Sequence, residues 1–145
     1  MPPMLATSTS IAHCPCGILR AYGDCCGRFH AGDAADSAQK LMRSRYSAFQ
    51  LKLDDYLLAT WHPSTRPTTL DSGTDALRWL GLELRSQSQA GDSARIEFIA
   101  RFRLGQGPVQ RQHEISRFVR EDGCWFYLDG EFPPAPTPLG QRRKV

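Results

Sequence analysis

Between residues 37 and 62 apolar positions recur every three or four residues, and from residue 82 onward they recur every second residue. The first period belongs to helices and the second to strands. Ala38, Leu41, Met42, Tyr46 and Phe49 share one helical face, and Asp36 or Ser37 can cap its start, which predicts a helix over 37–50. A second helix opens at Asp54, which can cap it, and carries Leu57, Leu58 and Trp61. Pro63 ends it by driving His62 out of helical geometry. The pattern over 74–80, with Gly81 as its stop, predicts a short third helix.

Four strands are predicted next, over 82–90, 94–104, 109–120 and 125–130, punctuated by Gly91-Asp92, by Gly105-Gln106-Gly107-Pro108 and by Asp122-Gly123. Short turns between strands make an antiparallel meander. Helices first and strands afterwards define an α+β domain with the helices packed on one sheet face. The buried face of the second strand is expected to be Ile96, Phe98, Ala100 and Phe102. Pairing across the 105–108 loop then sets Phe102 opposite Arg111, Ala100 opposite His113, Phe98 opposite Ile115 and Ile96 opposite Arg117, so that His113 and Arg117 point inward. A β-bulge would reverse this, since a one-residue slip turns every side chain over. Phe118, Trp125 and Tyr127 fall on the opposite face, where a second subunit or the proline-rich tail is expected to cover them, which points to a homodimer through the sheet.

Arg45 sits in the middle of the apolar stripe of the first helix and faces the core. A buried guanidinium needs a partner. Two readings follow. One is a structural ion-pair network drawing on Glu83, Glu97, Glu114 or Asp129. The other is a pocket for a small anionic ligand, with Arg45 and Arg117 clamping a carboxylate or phosphate, Tyr46 or His62 at the mouth, and His113 available as a base. The sequence shows no nucleophile with a neighbouring base and no glycine-rich phosphate loop, so whether any reaction is catalysed stays open. Cys124 reads as a small half-buried residue.

The most specific chemistry lies nearer the N-terminus. Cys14-Pro15-Cys16 is followed after eight residues by Cys25-Cys26, with His30 four positions beyond. Paired thiols at both ends of a short loop close a tetrahedral metal site. Adjacent cysteines lie about 3.8 Å apart at Cα, too close for an ordinary disulfide. Zn(II) held by Cys14, Cys16, Cys25 and Cys26 is the expected state, with His30 in place of Cys26 as the alternative ligand. Four protein ligands leave no position for water, so the zinc is expected to be structural, its charge offset by Arg20 and Arg28.

Cys14-Pro15-Cys16-Gly17, Tyr22 and Cys25-Cys26-Gly27 resemble the SEC-C motif, a small zinc module. That family carries a basic, lysine-containing loop between its cysteine pairs, used to meet protein partners; here the loop reads Ile18-Leu19-Arg20-Ala21. The motif, together with 41–49, 56–63, His113-Glu114 and Trp125-Phe126-Tyr127, is similar over nearly the whole length to the YchJ family of bacterial proteins. The resemblance implies that the larger domain is similar to the nuclear transport factor 2-like fold, a curved sheet whose helices close a cone.

The chain has 145 residues and a net charge of +3, which suits one domain plus an appendage and is too mild to argue for nucleic acid. No apolar run approaches the roughly 18 residues of a membrane span. The start shows no basic and apolar leader pattern, so a cytoplasm that keeps thiols reduced is expected. The organisation reads as a disordered N-terminus over 1–12, a zinc segment over 13–32, a cone domain over 33–132 and a proline-rich basic tail over 133–145, ending in Arg142-Arg143-Lys144. The function these features favour is a zinc-binding adaptor that meets a protein partner through its metal segment; the alternative is a small-ligand binder or enzyme built on the cone.

Overall fold

In the computed structural model residues 13–70 and 77–133 are described. The expected disorder of 1–12, the tail after Pro133 and the first half of the expected third helix lie outside the described residues.

Cys26–His30 forms a short helix α1 after a single 3-10 turn at Tyr22–Asp24. The helix predicted over 37–50 is α2, Ala38–Leu51, and the Ser37 side chain caps it by accepting from the Lys40 N–H at 3.1 Å. Helix α3 is Asp54–Ala59, where Asp54 is the first helical residue and makes no cap bond. Pro63 does not itself end it: the chain leaves at Thr60 because Tyr127 N–H donates to Thr60 O at 2.8 Å and His62 N–H donates to Tyr127 O at 2.7 Å, tying the helix end to the last strand.

The sheet is an antiparallel meander of Leu77–Ala90 (β1), Ser93–Leu104 (β2), Gln110–Glu121 (β3) and Cys124–Glu131 (β4). Leu77–Leu80, predicted as the end of a third helix, is strand. A helix of about two turns is marginal in water, whereas here Leu77 and Trp79 extend the β1–β2 ladder opposite Leu104 and Phe102. Irregularities at Trp79/Gly81, Leu84/Ser86 and Arg117/Phe118 bend the ladder, and the sheet curves around α2.

The predicted register of β3 is corrected by one residue. Phe102 pairs with Gln110, Ala100 with Gln112, Phe98 with Glu114 and Ile96 with Ser116. The loop after Leu104 is one residue shorter than expected, and every β3 side chain therefore turns over. The expected inner face of β2 is inner, but it meets Gln112, Glu114, Ser116 and Phe118 rather than His113 and Arg117. Phe118 and Trp125 are core residues, packed with Leu41, Met42 and Ile96, with Tyr127 against them. These aromatic residues therefore need no second subunit to cover them.

Candidate functional site

The four cysteine sulfurs lie within 4.8 Å of one another, and all four residues are buried. Cys16 Sγ and Cys25 Sγ are 3.7 Å apart. A tetrahedron with metal–sulfur bonds of about 2.3 Å has edges of about 3.8 Å, so this donor set fits a divalent metal ion, and the thiols are not disulfide-bonded. Local backbone bonds shape the loop. Cys14 N–H donates to Arg20 O at 2.8 Å and Gly17 N–H to Cys14 O at 3.0 Å, with Gly17 at φ 100°, a left-handed position that favours glycine. Without metal the cluster shares its protons unequally: the Cys26 thiol's hydrogen bond pulls Cys16 down to about 5, the same contact pushes Cys26 up, and burial raises Cys25 to about 11.

Helix α2 holds the knot from below. Arg43 Nη1 donates to Cys16 O at 3.1 Å, Gln50 Nε2 to Pro15 O at 2.7 Å, and Ser47 Oγ lies 3.6 Å from Cys14 Sγ. Tyr46 and Ala100 share one buried cluster with the cysteines. The segment is thus part of the domain core, and Arg43 supplies the nearby cation expected of Arg28, which pairs with Asp33 instead.

His30 is not a ligand candidate in this arrangement. Its Nδ1 is 2.6 Å from the Tyr22 hydroxyl and its Nε2 is 2.8 Å from Ser44 O, so both ring nitrogens are engaged. Burial lowers its pKa and keeps it neutral. The residue pins the knot to α2.

The second candidate site is a cavity of about 240 Å³ between α2 and the inner sheet face, walled by Tyr46, Phe49, Trp79, Phe98, Phe118 and Tyr127. One basic and one acidic side chain enter it. Arg45, 5% exposed, donates through Nη1 to Leu57 O and to Thr60 Oγ1, both at 2.7 Å, and lies 4.6 Å from the Tyr127 ring centroid and 5.3 Å from that of Trp61. Burial pushes its pKa down to about 10, so it remains a cation at neutral pH. Glu114, 7% exposed, accepts from Ser116 Oγ at 2.7 Å and from the Tyr127 hydroxyl at 2.9 Å, both at Oε2. Burial raises its pKa, and the two hydroxyl donors and the Arg45 charge act the other way. The carboxylate rests on Gly130, where any Cβ would collide with it.

Of the five residues expected to line a pocket, Arg45 and Tyr46 do. Arg117 forms a two-pronged pair with Asp129 on the outer face, and His113 Nε2 is 2.6 Å from Glu97 Oε2 on the same face, both because of the register shift. His62 lies away from the cavity, with Nδ1 2.7 Å from Ser64 Oγ and Nε2 2.8 Å from Glu121 Oε2. The expected ion-pair network is therefore dispersed: Glu97 and Asp129 have these outer partners, Glu83 serves Arg85 and Arg101, and Glu114 alone shares the interior with Arg45. Cys124 is exposed rather than half-buried, because it stands just past the hairpin turn at the strand end. Trp79 is hidden by its helical assignment, whereas Glu114 is expected only as one of four possible partners for Arg45. The signal that could have placed Glu114 inside is that it shares parity with Phe118, the one large aromatic of β3.

A curved four-stranded sheet wrapped on one long helix, with four clustered cysteines packed against that helix and β2, defines a cone-shaped α+β protein carrying a group that could hold a metal ion. Residues 37–130 match the family described as "YchJ, middle NTF2-like domain". A UPF0225 protein of Bordetella pertussis is 51% identical over 88% of this chain and 98% of its own length, and one of Methylibium petroleiphilum is 56% identical over 83% and 89%. The chain belongs to the YchJ family. The solution structure of a SEC-C motif containing protein from Rhodopseudomonas palustris superposes with a TM-score of 0.74 at 38% identity, covering 83% of this chain and 98% of that one.

Proposed function

We propose that this protein is a zinc-stabilised small-molecule-binding protein, in which the metal fastens the wall of the cone and the cavity holds the ligand. The observation that carries this is a buried guanidinium and a buried carboxylate entering one aromatic-walled cavity, a costly arrangement that folding alone does not call for. Zinc is the metal that suits four thiolates with no open position, and reduced thiols fit a cytoplasmic setting. Native mass spectrometry of freshly purified protein tests the reading. Zinc plus a small organic mass that disappears in Gln112→Trp, which fills the cavity from β3, supports it. Zinc alone, with no further bound mass on either protein, counts against it.

A second reading keeps the knot as a docking point for a protein partner. Leu19 is 80% exposed at the outer end of the loop, beside Arg20. Under that reading Leu19→Asp abolishes capture of the partner and leaves zinc content unchanged, whereas Gln112→Trp has no effect on capture.

A further inference from the structure

We infer that the cavity takes a small uncharged ring compound bearing a hydroxyl group, whose O–H donates to Oε1 of Glu114. This inference rests on the cavity being the ligand site and says what kind of molecule enters it.

Both protein donors to Glu114 use Oε2. Oε1 is left as an acceptor at the cavity wall, and Gly130 beneath the carboxylate lets the side chain lie flat against β4. A carboxylate oxygen to which no described protein group donates, on a residue lining the cavity, is free to accept from a molecule inside it. The ligand's charge follows from the two ionisable neighbours. A cation meets Arg45, which already covers ring faces of Trp61 and Tyr127. An anion meets the Glu114 carboxylate, which repels it, while Nη1 of Arg45 is already committed to Leu57 O and Thr60 Oγ1. A neutral molecule offends neither.

A hydroxyl is both donor and acceptor. The rings of Trp61 and Trp79 line the cavity, and their buried indole N–H groups have no partner among the described residues. The volume of about 240 Å³ lies a little under the roughly 300 Å³ at which drug-sized pockets begin, which limits the ligand to one or two rings, and the aromatic walls favour a flat one.

The test is fluorescence titration of the zinc-loaded full chain with 2-naphthol, and competition by 2-tetralone, a similar two-ring frame that only accepts hydrogen bonds, and by 2-naphthoate, the anionic counterpart. Wild type should bind 2-naphthol at least about tenfold more tightly than either. In Glu114→Gln, Ser116 and Tyr127 hold the amide oxygen at the Oε2 position, which puts the amide N–H at the Oε1 position. That variant should lose about tenfold or more for 2-naphthol and gain for 2-tetralone. Gly130→Ala, which displaces the carboxylate by a different route, should reproduce the loss for 2-naphthol. Preference for 2-naphthoate, or equal 2-naphthol affinity in wild type and both variants, overturns the inference while binding that Gln112→Trp abolishes keeps the cavity as the site. Failure of all three compounds to bind, or binding indifferent to Gln112→Trp, overturns the inference and the cavity reading together.

Discussion

Arg117 and Asp129 face each other across β3 and β4, with Nε 2.7 Å from Oδ1 and Nη2 2.6 Å from Oδ2. The pair stands on the outer sheet face, away from the cavity. Arg117→Ala is therefore expected to leave metal content and cavity binding unchanged. Its effect appears in Asp129, whose pKa the Arg117 hydrogen bonds hold below the usual range. A depressed carboxylate contributes stability above its unfolded-state pKa and loses it as pH falls through the folded-state value. In Arg117→Ala the Asp129 carboxyl 13C titration should move up toward the ordinary range; an unmoved midpoint would contradict the pairing.

The helix α2, the meander and the gathering of the four cysteines were legible because each has a local cause: a 3.6-residue period, paired turn residues and short cysteine spacing. His113 and Arg117 turn outward for one reason. The cavity face of β3 reads Gln112-x-Glu114-x-Ser116 and the outer face Arg111-x-His113-x-Ile115-x-Arg117, so both faces are largely polar and alternation does not tell them apart. A register set by one loop residue then decides everything downstream. His62 meets Ser64 and Glu121 while its neighbour Trp61 lines the cavity, because consecutive residues leaving a helix toward a strand point to different sides.

Metal removal should loosen more than the knot. The cysteines share a buried cluster with Tyr46 of α2 and Ala100 of β2, and Trp79 and Phe98 pack against it. Chelation, or Cys16→Ser, is expected to change the near-ultraviolet circular dichroism of the tryptophans and to lower global stability by about 4 kcal/mol or more, the linkage effect of a ligand held about a thousandfold above its dissociation constant. A local change confined to residues 13–32 in amide hydrogen exchange would show instead that the knot folds as an independent appendage.

His30→Ala separates structure from ligation. Losing the contacts to Tyr22 and Ser44 O should cost about 1–3 kcal/mol in urea unfolding. Zinc stoichiometry by atomic absorption should stay the same as in wild type. A fall in bound metal without loss of stability would restore His30 as a ligand.

Gly130 has an ordinary negative-φ backbone, so on backbone grounds alone Gly130→Ala would stabilise the protein by about 0.4–1 kcal/mol. The Glu114 carboxylate above it reverses the sign. The single variant should lose about 2–4 kcal/mol, the range for disturbing two hydrogen bonds to a buried charged group. Combining it with Glu114→Ala should remove that penalty, so the coupling in a double-mutant cycle, measured by urea unfolding, reports the contact directly.

Glu114 itself should titrate above the ordinary carboxylate value of about 4.3. Burial is the leading cause, and the hydroxyls of Ser116 and Tyr127 oppose it. Because the native carboxyl holds its proton more tightly than the unfolded chain does, its contribution to stability is greatest below the unfolded-state pKa and declines as pH rises through the folded-state value. Tyr127→Phe removes one donor to the ionised form and should move the midpoint further up, whereas a donor added by a bound hydroxyl should move it down. The carboxyl 13C titration of zinc-loaded protein, with and without 2-naphthol, measures both shifts. A midpoint at or below the ordinary value in wild type would contradict burial as the leading influence on this carboxyl.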